Sequence, residues 1–96
     1  MTINKITDGD KLIIFLEGRL DTNTSMELDK QLKSSMEGIS SIEFDLRDLV
    51  YVSSSGIRLL LGVYKAVGGN LKIINVQDAV MEVFETTGFA AAFKIE

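Results

Sequence analysis

The chain contains neither cysteine nor histidine. Without cysteine there is no disulfide framework, no thiolate nucleophile and no sulfur-bound zinc. Without histidine, the usual general base near neutral pH and the commonest transition-metal ligand are both missing. No apolar run approaches the roughly 18 residues that a membrane helix needs, and the opening MTINKITDGD has no apolar core of a secretory signal. Lys and Arg are scattered along a chain of net charge -4, which argues against a binder of nucleic-acid backbone. Most enzymatic readings weaken before any motif is considered. The expectation is a non-enzymatic protein of the cytoplasm, with no metal, no cofactor, no direct nucleic-acid partner and no membrane insertion.

What is present is ordinary in amount and specific in arrangement. A chain of 96 residues, 46% hydrophobic and 25% charged, is one soluble globular domain, residues 1–96, with a single core. Ile3 to Thr7 reads as a strand, and DGD at 8–10 as a hairpin turn. KLIIFLEG follows as a strong strand whose nearly continuous apolar run predicts burial on both faces. In RLDTNTS, Thr22, Asn23 and Thr24 are candidate N-caps for a helix that repeats Leu28, Leu32 and Met36 and ends at Gly38.

SIEFDL alternates as a third strand, a helix runs from Ser54 to Val67, and LKIINV is a fourth strand. A short helix capped by Asp78 and a last strand at FKI complete the chain. This order predicts an α/β fold: a mixed sheet of four to five strands, an N-terminal hairpin and then parallel strands, covered by three to four helices. Right-handed crossovers place the loops leaving the parallel strands at one sheet edge. Those loops begin at Asp21, at Val52 and at Asn75.

The stretch LVYVSSSGIRLL, residues 49–60, sets three serines and a glycine where a strand gives way to a helix. Serine is a preferred N-cap, and Ser53 fits best, with its oxygen in reach of the N–H of Ser55 or Gly56. A cap explains one hydroxyl and leaves Ser54. A hydrolytic serine needs an adjacent base, and neither Lys65 nor Lys72 has a spacing that suggests one. A phosphate-binding loop would need a Gly-rich pattern and lysine that are missing. In the remaining reading Ser54 accepts a phosphoryl group, which a helix N-terminus tolerates and which adds about -1.5 to -2 of charge. Beyond the stripe Ile57, Leu60, Leu61 and Tyr64, the same helix carries Leu59, Val63 and Ala66. These make either a widely buried face or an apolar docking strip with Arg58 at its rim.

At these residues the chain resembles the STAS-domain anti-sigma factor antagonists of bacteria. Asp45-Leu46, Leu49-Val50-Tyr51-Val52 and Ser53-Ser54-Ser55-Gly56-Ile57 are similar to that family's central motif, with Ser53 where the family often has Asp. Gly18, Leu20 and Asp21, together with GGNLKIINV and VFETTGF, extend the similarity over nearly the whole chain. The resemblance implies that Ser54 is phosphorylated by an anti-sigma factor that is itself a serine kinase. The unphosphorylated form would bind that factor and free a sigma factor, and a phosphatase would reset the switch.

Asp21 by itself reads equally as a turn or capping residue, whereas the resemblance brings Asp21, Thr22 and Asn23 into the partner surface. That surface is expected to include Ser53, Ser55, Gly56, Arg58, Leu59 and Val63. The chain stops soon after the expected last strand, where many relatives carry a further helix, which would leave Phe89 and Phe93 for a partner. Two other classes stay open at this point: a STAS scaffold subunit of a transporter or stress-signalling complex, and a small-ligand or nucleotide-binding module.

Overall fold

The computed structural model describes residues 1–96. Strands β1 (Thr2–Asp8) and β2 (Lys11–Leu20) form the hairpin, followed by α1 (Thr22–Ser35), β3 (Ser41–Val52), α2 (Ser54–Ala66) and β4 (Leu71–Ile74). Helix α3 (Asp78–Thr86), a 3-10 turn at Phe89–Ala91 and β5 (Lys94–Ile95) end the chain. The sheet order is β1-β2-β3-β4-β5, antiparallel only between β1 and β2. The expected mixed sheet of four to five strands is the fold, with five strands present.

Consecutive parallel strands joined by right-handed crossovers send every helix to the same side. The burial pattern agrees. Leu12, Ile14 and Leu16 of β2, Ile42, Phe44 and Leu46 of β3, and Leu71 and Ile73 of β4 share one cluster with Leu28 and Leu32 of α1, Ile57, Leu60 and Val63 of α2, and Val80 and Phe84 of α3. The opposite face is open, which corrects the expectation that β2 is buried twice over. Phe15 and Ile6 are exposed there and Ile13 is half-buried. Around them the Lys11–Glu43 and Lys72–Glu96 ion pairs, at 3.3 and 2.8 Å, keep the face wet. A continuous apolar run cannot say on which side a sheet will lack helices.

The two ends of the helices differ from expectation in instructive ways. Asp78 does not cap α3; Gln77 holds that position without a side-chain cap, and its amide nitrogen donates instead to the Arg47 carbonyl at 2.7 Å. Phe93, expected to be free for a partner, is buried. Its ring packs edge-on against Tyr64 and Phe84 at 6.0 and 5.9 Å and stacks on Phe89 at 6.2 Å. These rings close the core at the far end of the sheet.

Candidate functional site

The ends of β2 and β3 bring two corners together. Leu20 pairs with Val52, and the Ser53 N–H donates to the Leu20 carbonyl at 2.9 Å. Asp21 and Ser53, each the residue after its strand, therefore sit side by side and start α1 and α2 next to one another. The loop after β4 does not join them. Ile74 pairs with Asp45, so β3 runs on for roughly 20 Å beyond the end of β4. Asn75, at a positive φ of 57°, donates instead to the buried Asp45 carboxylate at 3.1 Å. Of the three loops expected at one edge, only the Asp21 and Ser53 loops share it.

Each corner is built by its own cap. The Asp21 carboxylate accepts from the Thr24 N–H at 3.0 Å, while the Asp21 N–H donates to the Thr24 hydroxyl at 2.8 Å. This closes a capping box and makes Asp21, rather than Thr22, Asn23 or Thr24, the N-cap of α1. The Thr24 hydroxyl shares its proton between the Arg19 carbonyl at 2.7 Å and the Asp21 carboxylate at 3.0 Å, tying the helix start to the end of β2.

The Thr24 N–H and then its hydroxyl favour the charged carboxylate and hold Asp21 below the usual range, with Arg19 adding a smaller pull. Its contribution to stability is thus complete above the unfolded carboxylate range and is lost as pH falls through the depressed value. In an acid titration followed by circular dichroism, Asp21→Asn should lower the melting temperature at neutral pH, and the gap to the native chain should narrow as the pH is taken below 4 or so. A gap that stays constant down to that range would contradict this role.

At the second corner Ser53 caps α2, its Oγ accepting from the Gly56 N–H at 3.2 Å. Ser54, the first residue of α2, takes no part in the cap and is exposed. Ser55 and Thr22 meet across the gap, hydroxyl to hydroxyl at 3.2 Å, so the two helix starts touch through side chains. Asn23 is exposed beside them. Gly56 is buried: a Cβ there would come within 2.8 Å of Leu20 Cγ and 3.0 Å of the Leu20 carbonyl oxygen. Its place in the site is the close seating of α2 on β2.

Along α2, Arg58 is exposed and Leu59 half-buried. Val63, assigned to the partner surface under one of the two readings of this helix, retains only 8% of its surface and belongs to the core, as the widely buried reading has it. It forms part of the floor of a groove of about 830 Å3 between α1 and α2, whose rim carries Met26, Arg58 and Leu59. Sequence reasoning found α2's side of this groove and missed α1's. Met26, 70% exposed, is the visible signal there, one apolar residue standing off the Leu28–Leu32 stripe. Also missed was the Arg19 guanidinium, which lies over the Tyr51 ring at 4.1 Å beside the same edge.

Comparisons with known proteins bear on this arrangement. A family model, the STAS domain, matches residues 2–96. BtrV of Bordetella bronchiseptica, provisionally named an anti-sigma factor antagonist, is 34% identical over 99% of this chain and 84% of its own length. The anti-sigma-B factor antagonist of Staphylococcus epidermidis is 30% identical over 92% of this chain and 85% of its own. Among solved structures, the anti-sigma factor antagonist SpoIIAA in its unphosphorylated form aligns with a TM-score of 0.83 over 99% of this chain and 88% of that one. At 21% identity that likeness shows the fold.

Proposed function

The chain belongs to the STAS-domain family of anti-sigma factor antagonists, regulators rather than enzymes, and from that premise we propose a switch centred on Ser54. In its unphosphorylated form the protein binds an anti-sigma factor that is also a serine kinase and so frees a sigma factor. The kinase transfers a phosphoryl group to the Ser54 hydroxyl, the complex separates, and a phosphatase restores the serine.

One observation carries this reading. Ser53 performs the capping, so the exposed Ser54 hydroxyl has no structural task in the fold. A phosphoryl group on it would meet the positive end of α2, where free N–H groups welcome negative charge, and the fold would survive the modification. The Ser53 side chain supplies the cap that an Asp would supply at the same position, so exchanging one for the other leaves the helix start intact. No helix of the structure is long and apolar enough to cross a membrane.

The docking surface in this proposal is the edge formed by Asp21, Thr22 and Asn23 with Ser53, Ser55, Arg58 and Leu59. Gly56 and Val63 serve it from beneath, as packing. Arg58 forms no salt bridge within the chain, so its charge is available to a partner. Arg58→Glu should leave the melting temperature near the native value, weaken partner binding by about tenfold and flatten its dependence on salt. Unchanged affinity, with losses on substitution at the open sheet face instead, would put the surface elsewhere.

The test of the function itself is incubation with the anti-sigma kinase of the source cell and ATP, followed by mapping of the modified residue by mass spectrometry. Phosphate on Ser54 supports the switch. Phosphate on Ser53 or Ser55 with Ser54 untouched, or a stable complex that takes up no phosphate, defeats it.

A further inference from the structure

The groove between α1 and α2 has a polar end, shared with the proposed docking edge at Thr22, Ser55 and Arg58, and a mainly apolar length that runs on beyond that edge. At the polar end the first turns of both helices converge, marked by the Thr22 and Ser55 hydroxyls at 3.2 Å. Neither first turn contains an acidic residue, and Asp21, the carboxylate at the start of α1, is engaged in its own cap. Arg58 stands on the rim without a salt bridge. Ser25, only 6% exposed, also lines the groove, and its hydroxyl has no hydrogen-bond partner. Buried hydroxyls are almost always satisfied, so this one, enclosed as the chain stands, calls for a water or a ligand atom reaching it from the cavity. Asp29 and Lys33, on the α1 flank, pair with each other at 3.1 Å and leave Arg58 as the uncompensated charge.

From this end the groove runs toward Met36, Ile39 and Ala66 over Leu32, Leu59 and Val63. From Ser55 to Ala66 the helical rise gives a length of roughly 16 Å. Gly62 lies midway, and a Cβ there would meet no atom within 4 Å. A glycine in a helix interior is unfavourable relative to alanine, and here no close neighbour requires it. Its absence of side chain keeps the groove open.

We infer that this groove binds a single-chain amphiphile with an anionic head, of the class of long-chain carboxylates. The head lies at Arg58 with the Ser25, Thr22 and Ser55 hydroxyls, and the alkyl chain lies along Leu59, Gly62 and Val63. The volume of about 830 Å3 is within the range of small-ligand sites, and beyond the polar end the lining is apolar apart from the mutually paired Asp29 and Lys33 on the α1 flank. The charge pattern selects the anion: two helix N-termini and a free guanidinium favour a carboxylate and repel an ammonium. The inference is independent of phosphorylation at Ser54 and is tested on the unmodified chain.

The probe is dodecanoate, titrated below its micelle concentration into the isotopically labelled protein and followed by NMR. Saturable shifts should appear at Met26, Met36, Leu59 and Val63. Decanoate should bind about tenfold more weakly for the two methylenes it lacks. Arg58→Gln should cost dodecanoate about tenfold while leaving dodecanol binding unchanged. Gly62→Leu should fill the groove and abolish binding while melting at or above the native temperature; Ala66→Leu, at an exposed position one turn on, is the second blocking variant. The inference is overturned if the shifts fall on Ile6 and Phe15 of the open sheet face, or if both blocking variants bind as the native chain does. It is equally overturned if dodecyltrimethylammonium binds as tightly as dodecanoate, or if binding is seen only to anionic vesicles.

Discussion

Ser54→Asp is expected to weaken binding to the anti-sigma factor by more than 100-fold while leaving the free protein folded. In the free chain the new carboxylate sits at the first residue of α2, exposed and beside the positive end of the helix, where it is welcome. In the complex proposed above, the same group would be covered by the partner. It would lose water there with no counter-ion prepared for it, at a cost of several kcal/mol for a truly buried charge. Even about 3 kcal/mol of that penalty exceeds a factor of 100 in affinity. Ser54→Ala removes the acceptor without adding charge, and because Ser53 retains the cap, the fold should lose less than about 0.5 kcal/mol. Its complex should persist and incorporate no phosphate. Calorimetric titration of the three proteins against the same partner checks all of this. Equal affinities would remove Ser54 from the interface.

Gly56→Val is expected to cost about 3 kcal/mol, the upper end of what overpacking does, and to lower the melting temperature by about 15 °C. The added Cβ would press on Leu20, whose side chain is fully buried and whose carbonyl is held by the Ser53 N–H at 2.9 Å. Neither neighbour can retreat without lifting α2 from β2. The serine corner would move with it, so phosphate incorporation at Ser54 should fall together with stability. Gly62→Ala is the control on the same helix. With open space around its Cβ, it should stabilise the fold by about 0.5–1 kcal/mol through lower chain entropy alone. Thermal melts of the two variants should shift in opposite directions. A Gly56→Val protein that melts with the native chain would show that the close approach to Leu20 is not what glycine serves there.

The parts of this structure legible in the sequence were those written in periodicity and caps. Ile57, Leu60 and Tyr64 announce α2, the alternation of Ile42, Phe44 and Leu46 announces β3, and Ser53 is the cap that its position suggests. What escaped depends on relations between elements. That β3 outruns β4, and so separates Asn75 from the serine corner, follows from a pairing of Asp45 with Ile74 that no local pattern encodes. Burial of Val63 depends on α1 lying alongside α2, and the openness around Phe15 on all helices taking the other side. Asp21, read both as a turn or capping residue and as part of a partner surface, proves to be the cap that fixes α1. A capping box reads from sequence as Ser or Thr with Glu or Gln three residues later; an Asp followed three residues later by Thr departs from that pattern. The Thr22–Ser55 contact joins residues far apart in the chain and has no sequence signal at all.

The central claim is that charge on Ser54 decides whether the partner binds. Its most direct measurement is the affinity of the anti-sigma factor for this chain carrying phosphoserine at position 54, compared by calorimetry with the same preparation after phosphatase treatment. The account predicts tight binding of the dephosphorylated protein and a loss of at least about 100-fold in the phosphorylated one, with circular dichroism unchanged between them. Equal binding of the two forms, or tighter binding of the phosphorylated one, would contradict it.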